Sequence, residues 1–104
     1  MITTVFFLVE SPFSTRDYVR FGIDILSQNF NVIVLDCTPW IKPLFREKYS
    51  GLACEFSGYS VVRDQNEFEN HVTRLSNAIA VDYVGHCNIS KSIRKKLERR
   101  NIPR

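Results

Sequence analysis

Residues 5–9, VFFLV, form an apolar run with no polar break, and residues 10–13, ESPF, stop it at once. A strand with one wet face alternates apolar and polar side chains, whereas a strand covered on both faces need not. The run therefore reads as a buried strand of a parallel sheet. Ser14 or Thr15 offers an N-cap, with Arg16 and Asp17 in the first helical turn. Residues 3–20 are thus a strand, a polar turn and a helix start, the first βα junction of an α/β domain. Such sheets bind ligands just beyond the carboxyl ends of their strands.

The rest of the chain repeats this alternation. A helix is expected over residues 16–30, with Tyr18, Phe21 or Gly22, Ile25 and Leu26 on one face. Residues 31–37, NVIVLDC, make a second strand, so the two strands are parallel neighbours of one βαβ unit. Pro39 and Pro43 bar a central strand from residues 38–43. A helical turn over 44–49, a loop over 50–59 and a short third strand over 59–63 follow. Asp64 and Glu67 have capping-box spacing ahead of the stripe Phe68, Val72, Leu75 and Ile79. Residues 78–84 read as the fourth strand and 85–88 as its turn. A last helix, capped by Asn88 or Ser90, runs to about residue 100 with Ile89, Ile93 and Leu97 inward. The expected fold is an α/β, Rossmann-like open parallel sheet of about four strands, ordered 3-2-1-4, with helices on both faces. Residues 1–104 form one such domain, or part of a larger amino-terminal one. Four strands ending on a helix leave the last strand's outer edge bare, which favours a truncated half-domain or self-association through that edge.

Composition narrows the class. The 104 residues carry a net charge of +3, too mild to demand a nucleic-acid partner. Cys37, Cys54 and Cys87 are odd in number and widely spaced, so reduced cytosolic thiols are the simplest account. The amino-terminal apolar run is too short to span a bilayer and lacks the basic start of a signal peptide. A soluble cytoplasmic protein is expected. Lys91, Arg94, Lys95, Lys96, Arg99, Arg100 and Arg104 supply half of the 14 Lys and Arg residues. They surround an apolar stripe without interleaved aromatics, so a solvated helix face is a simpler account than an RNA or acidic-membrane patch.

Three turns should meet at the carboxyl edge of the sheet. The first brings Glu10, Ser11, Arg16 and Asp17, the second Asp36 and Thr38, the fourth His86 and Asn88. An acid, a cation and an imidazole near helix N-termini suit a phosphate or a sugar hydroxyl. Each also has a structural explanation: Glu10 and Asp17 as dipole and cap partners, Asp36 and His86 as turn residues. Trp40, between prolines, reads as a packing lid and His71 as a surface residue. ESPFSTRD contains no glycine, which argues against a dinucleotide cofactor. No metal-spaced Cys/His cluster or nucleophile motif occurs, so neither cofactor, metal nor catalytic residue is assigned.

The run ESPFSTRDYVRFGIDIL at residues 10–26, followed by VIVLDCTPWIKP at 32–43, resembles the amino-terminal part of a bacterial protein family encoded with capsule and O-antigen genes. The VDYVGHC strand and the closing NIP are similar in kind. Members are described as polysaccharide-biosynthesis or glycosyltransferase-like proteins. The resemblance implies the first half of the amino domain of a two-domain, GT-B-like protein. That domain faces the acceptor, while a carboxyl-terminal part holds the nucleotide-sugar donor, so this piece alone is expected to be inactive. It matches the family turn at Glu10, Ser11, Pro12, Phe13, Arg16 and Asp17, with Asp36 and Thr38 from the second. Two other classes stay open: a stand-alone α/β binding or signalling module, and an interaction protein using the basic carboxyl-terminal helix.

Overall fold

The computed structural model describes residues 1–11, 13–42, 44 and 56–104. All but the first residue of the helical turn expected over 44–49, and most of the 50–59 loop, lie outside the described residues. β1 (Thr4–Val9) is buried at every position. Successive side chains point to opposite faces, so the strand divides the core in two. Phe6 and Leu8 enter one layer, and Val5, Phe7 and Val9 enter the other. α1 (Thr15–Arg20) and α2 (Ile23–Leu26) lead to β2 (Asn31–Asp36) and α3 (Thr38–Ile41). β3 (Tyr59–Val61), α4 (Gln65–Thr73), β4 (Ala78–Asp82) and α5 (Asn88–Arg99) complete the described elements. All strand pairs are parallel, as the alternation implies, and the order is the expected β3-β2-β1-β4.

Helices cover both faces. Tyr18, Phe21, Ile23 and Leu26 from α1, α2 and the turn between them pack with Phe7 and Val34. Trp40 of α3, Phe68 and Val72 of α4, and Ile93 and Leu97 of α5 close the other layer around Phe6, Leu8 and Leu35. Trp40 is a packing lid: it is buried, with its ring 5.7 Å from Phe68. Full burial of such a side chain contributes roughly 1.5–3 kcal/mol, so the two apolar layers outweigh any single polar contact.

The structure departs from the sequence expectation at several places. The helix expected over residues 16–30 is two, because Gly22 adopts φ 68° and caps α2 in the left-handed region. That conformation strains a side chain with a Cβ and ends α1 early. Ile79 does not continue the α4 stripe; it lies in β4 and packs on the opposite layer with Phe7. α5 is capped by Cys87, not Asn88 or Ser90; Ser90 stands at the third helical position and its hydroxyl oxygen accepts from the Cys87 N–H at 2.7 Å. The outer edge of β4 is not wholly bare, since the Ala80 N–H donates to the Pro103 carbonyl at 2.9 Å. Asn101 turns the chain back at φ 56° to make this contact.

The carboxyl end of β4 is held by a charged clasp. Asp82 accepts from the Val84 N–H and from Arg94 Nε, each at 2.9 Å, and from Arg104 Nη1 at 3.4 Å. Arg94 Nη2 donates to the Val84 carbonyl at 2.7 Å. Arg94 is therefore not part of a solvated helix face; its side chain is only 16% exposed. Burial pushes the Asp82 carboxyl upward, but the Val84 N–H and the two guanidiniums outweigh it and hold the group below its ordinary range. A depressed folded pKa gives stability that is present above the unfolded value and lost as pH falls through the folded one. Asp82→Asn should cost about 2 kcal/mol at pH 7, a charged hydrogen-bond magnitude. Urea melts at several pH values should show that cost shrinking as pH falls below the ordinary carboxylate range. A pH-independent cost would contradict the charged clasp.

Candidate functional site

In this strand order the chain leaves β1 toward one layer, through α1, and leaves β4 toward the other, through α5. The carboxyl ends of β1 and β4 thus flank the topological switch point, where α/β sheets open a crevice. Glu10, directly after β1, reaches across it: its Oε1 accepts the Gly85 N–H at 2.8 Å. A Cβ on Gly85 would lie 3.0 Å from that oxygen, so the missing side chain lets the carboxylate approach. Glu10 Oε2 accepts no hydrogen bond among the described residues.

Beside this bridge lies a recess of about 350 Å³ lined by Val9, Glu10, Ser11, Asp17, Arg20, Phe21, Lys42 and Tyr83. Its charges are unequally engaged. Asp17 is bound by Arg20 at 2.9 Å and takes part in the Ser14 capping box of α1. Lys42 makes no ion pair among the described residues. One acid oxygen, one ammonium and the exposed Ser11 therefore face solvent at the crevice.

Of the residues singled out by sequence, Glu10, Ser11 and Asp17 come together here. Arg16 does not line the recess; it is exposed on α1, and Arg20, one turn on, lines it instead. Asp36 and Thr38 point inward. Asp36 is fully buried, accepts from the Thr38 N–H at 3.0 Å and the Tyr59 hydroxyl at 2.6 Å, and also holds the Thr38 hydroxyl. The pair pins the end of β2 rather than meeting a ligand. His86 is exposed beyond the bridge, with Nδ1 3.3 Å from Arg94 Nη1. Asn88 is exposed at the first position of α5 and borders a different depression, with Gln65, Lys91 and Lys95. Tyr83, Arg20 and Lys42 were not singled out. Tyr83 continues the outward parity of Ile79 and Val81, the one sequence signal that places it on this face.

His71 is half-buried, not on the open surface. It borders a recess of about 540 Å³ with Arg74, Ser57 and Ser60, at the amino end of the sheet. Burial lowers its imidazole below the ordinary value, helped by Arg74 and opposed by Glu67. The basic face of α5 loses two cations to internal partners: Arg94 to Asp82, and Lys96 to Glu69 at 3.0 Å. Among the described residues no cluster of His, Cys, Asp and Glu could hold a metal ion. None of their helices is long and apolar enough to cross a membrane. No family model matches this chain, and no curated protein or solved structure matches it either.

Two thiols near the sheet's carboxyl edge have opposite fates. Cys37 is buried, and desolvation, reinforced by Asp36 and Asp82, pushes its thiol far up. Cys87 is exposed, and the Ser90 N–H donating to its sulfur lowers it, with the Ser90 side chain and the Ile89 N–H adding to the effect. Burial and the Glu10 charge oppose the shift without cancelling it. In a Cys54→Ser background, iodoacetamide at pH 7 should alkylate Cys87 in the folded protein and reach Cys37 only after unfolding. Ser90→Ala keeps the N–H that faces the sulfur and removes only the hydroxyl, so it should slow the Cys87 reaction only slightly. Equal labelling of both thiols in the native state would contradict this geometry.

Proposed function

We propose that this chain is the amino-terminal, acceptor-facing part of a glycosyltransferase-like protein of bacterial surface polysaccharide synthesis, working in the cytoplasm. The observation that carries the reading is the β1–β4 crevice, bridged by Glu10 and built without a glycine-rich turn. A free carboxylate oxygen accepts from sugar hydroxyls, and an ammonium and a serine hydroxyl donate to them. A nucleotide diphosphate is a poorer guest. α1 has six residues, and its first turn is already capped by Ser14 and the Asp17 carboxylate. A second carboxylate, Glu10, would face any phosphate placed there. The donor then belongs to another polypeptide segment, and this chain holds the acceptor without transferring to it. The resemblance of residues 10–26 and 32–43 to glycosyltransferase-like proteins supports the same division of labour.

Titration calorimetry separates this account from its rivals. Oligosaccharides from capsule or O-antigen repeats should give heat, and nucleotide sugars alone should give none. Glu10→Gln should weaken oligosaccharide binding about tenfold, because one charged hydrogen-bond acceptor is lost. Heat from a nucleotide sugar with none from any oligosaccharide would contradict the acceptor assignment.

A further inference from the structure

Three near-parallel aromatic rings cluster between the core and the surface of the recess, with Phe7 and Tyr83 6.4 Å apart and Phe21 against both. Phe7 of β1 is 3% exposed, and its ring lies 4.9 Å from that of Phe21 at 5°. Phe21 in turn lies 5.0 Å from Tyr83 at 13°, and Tyr83 is 54% exposed. The Arg20 guanidinium sits 5.4 Å from the Phe21 centroid. Phe21 stacked on it and Phe7 beside it fix the plane of the half-exposed Tyr83 ring, so that ring is held at little further entropic cost. Its neighbours in the recess are the uncommitted Glu10 oxygen, Ser11 and Lys42.

We infer that Tyr83 is the stacking platform for one pyranose ring, whose hydroxyls are taken by Glu10 Oε2 and Lys42. This rests on the acceptor reading above and names the subsite within it. A pyranose has an apolar C–H face and a rim of hydroxyls that both donate and accept. An aromatic face bordered by a carboxylate and an ammonium matches both parts at once. A nucleobase would also stack, but its phosphates would meet Glu10 and the Asp17 carboxylate. A purely apolar partner would leave Glu10 and Lys42 desolvated beside it.

The test uses ¹⁵N-labelled full chain and three probes: methyl α-glucopyranoside, methyl α-galactopyranoside and methyl N-acetylglucosaminide, with adenosine monophosphate as competitor. At least one pyranoside should shift the Tyr83, Gly85 and Phe21 amides in wild type, a mapping that needs no variant to fold. Tyr83→Ala should raise its Kd about tenfold or more, and Tyr83→Phe, which keeps the ring, should stay within about threefold. Shifts confined to other residues, unchanged binding by Tyr83→Ala, or preference for the nucleotide would overturn the platform. So would Tyr83 shifts that follow protein concentration rather than sugar, which would mark self-association. If oligosaccharide heat persists while the Tyr83 amide stays still, the platform falls and the acceptor reading stands. If neither heat nor shifts occur, both fall.

Discussion

β1 must hide two faces at once. Val5, Phe7 and Val9 point one way, Phe6 and Leu8 the other, and each is at most 7% exposed. Only a strand flanked by parallel neighbours and roofed by helices on both sides meets that demand. β2 and β4 take the two flanks, α1 and α2 roof one face, and α3, α4 and α5 roof the other. Truncating one of these core side chains, Leu8→Ala for instance, removes roughly 2–5 kcal/mol, a large share of a small domain's stability. The position of the crevice follows from the same constraint, because the helices after β1 and β4 must leave toward opposite layers.

Two acids that look alike in the sequence end up with different tasks. Asp36 closes β2 facing the protein, where Thr38 and Tyr59 saturate it. Glu10 follows β1 at the switch point, where Gly85 takes one oxygen and the other stays open to solvent. The difference is one of surroundings. The turn after Asp36 folds into α3 against the core, whereas the turn after Glu10 opens onto the crevice. A buried, saturated carboxylate stabilises a strand end, and a half-satisfied one at a rim is available for recognition.

Local patterns were legible and long-range ones were not. The apolar run of β1, the Ser14 cap and the Asp64 cap announce themselves within a few residues, and the alternation of strands and helices implies the parallel sheet. Gly22 interrupted a helix that periodicity would have continued, because apolar spacing does not report φ. Arg94 looked like one cation among seven in a wet carboxyl-terminal segment, yet its partner Asp82 lies twelve residues away on another element. Tyr83 gained its meaning only when Phe21 stacked on it with Phe7 alongside. Cys87 took the cap from better N-cap residues because Ser90 could reciprocate.

The central claim is that Glu10 joins the ends of β1 and β4 into one crevice. The amide of Gly85 reports on it most directly, since that N–H sits in an exposed turn and its partner is the Glu10 carboxylate. Its hydrogen exchange and its chemical shift should be measured in wild type and in Glu10→Ala. The bridge predicts an amide that is protected and shifted downfield in wild type and loses both properties in the variant. An amide that exchanges as freely in wild type as in Glu10→Ala, at the same chemical shift, would contradict it.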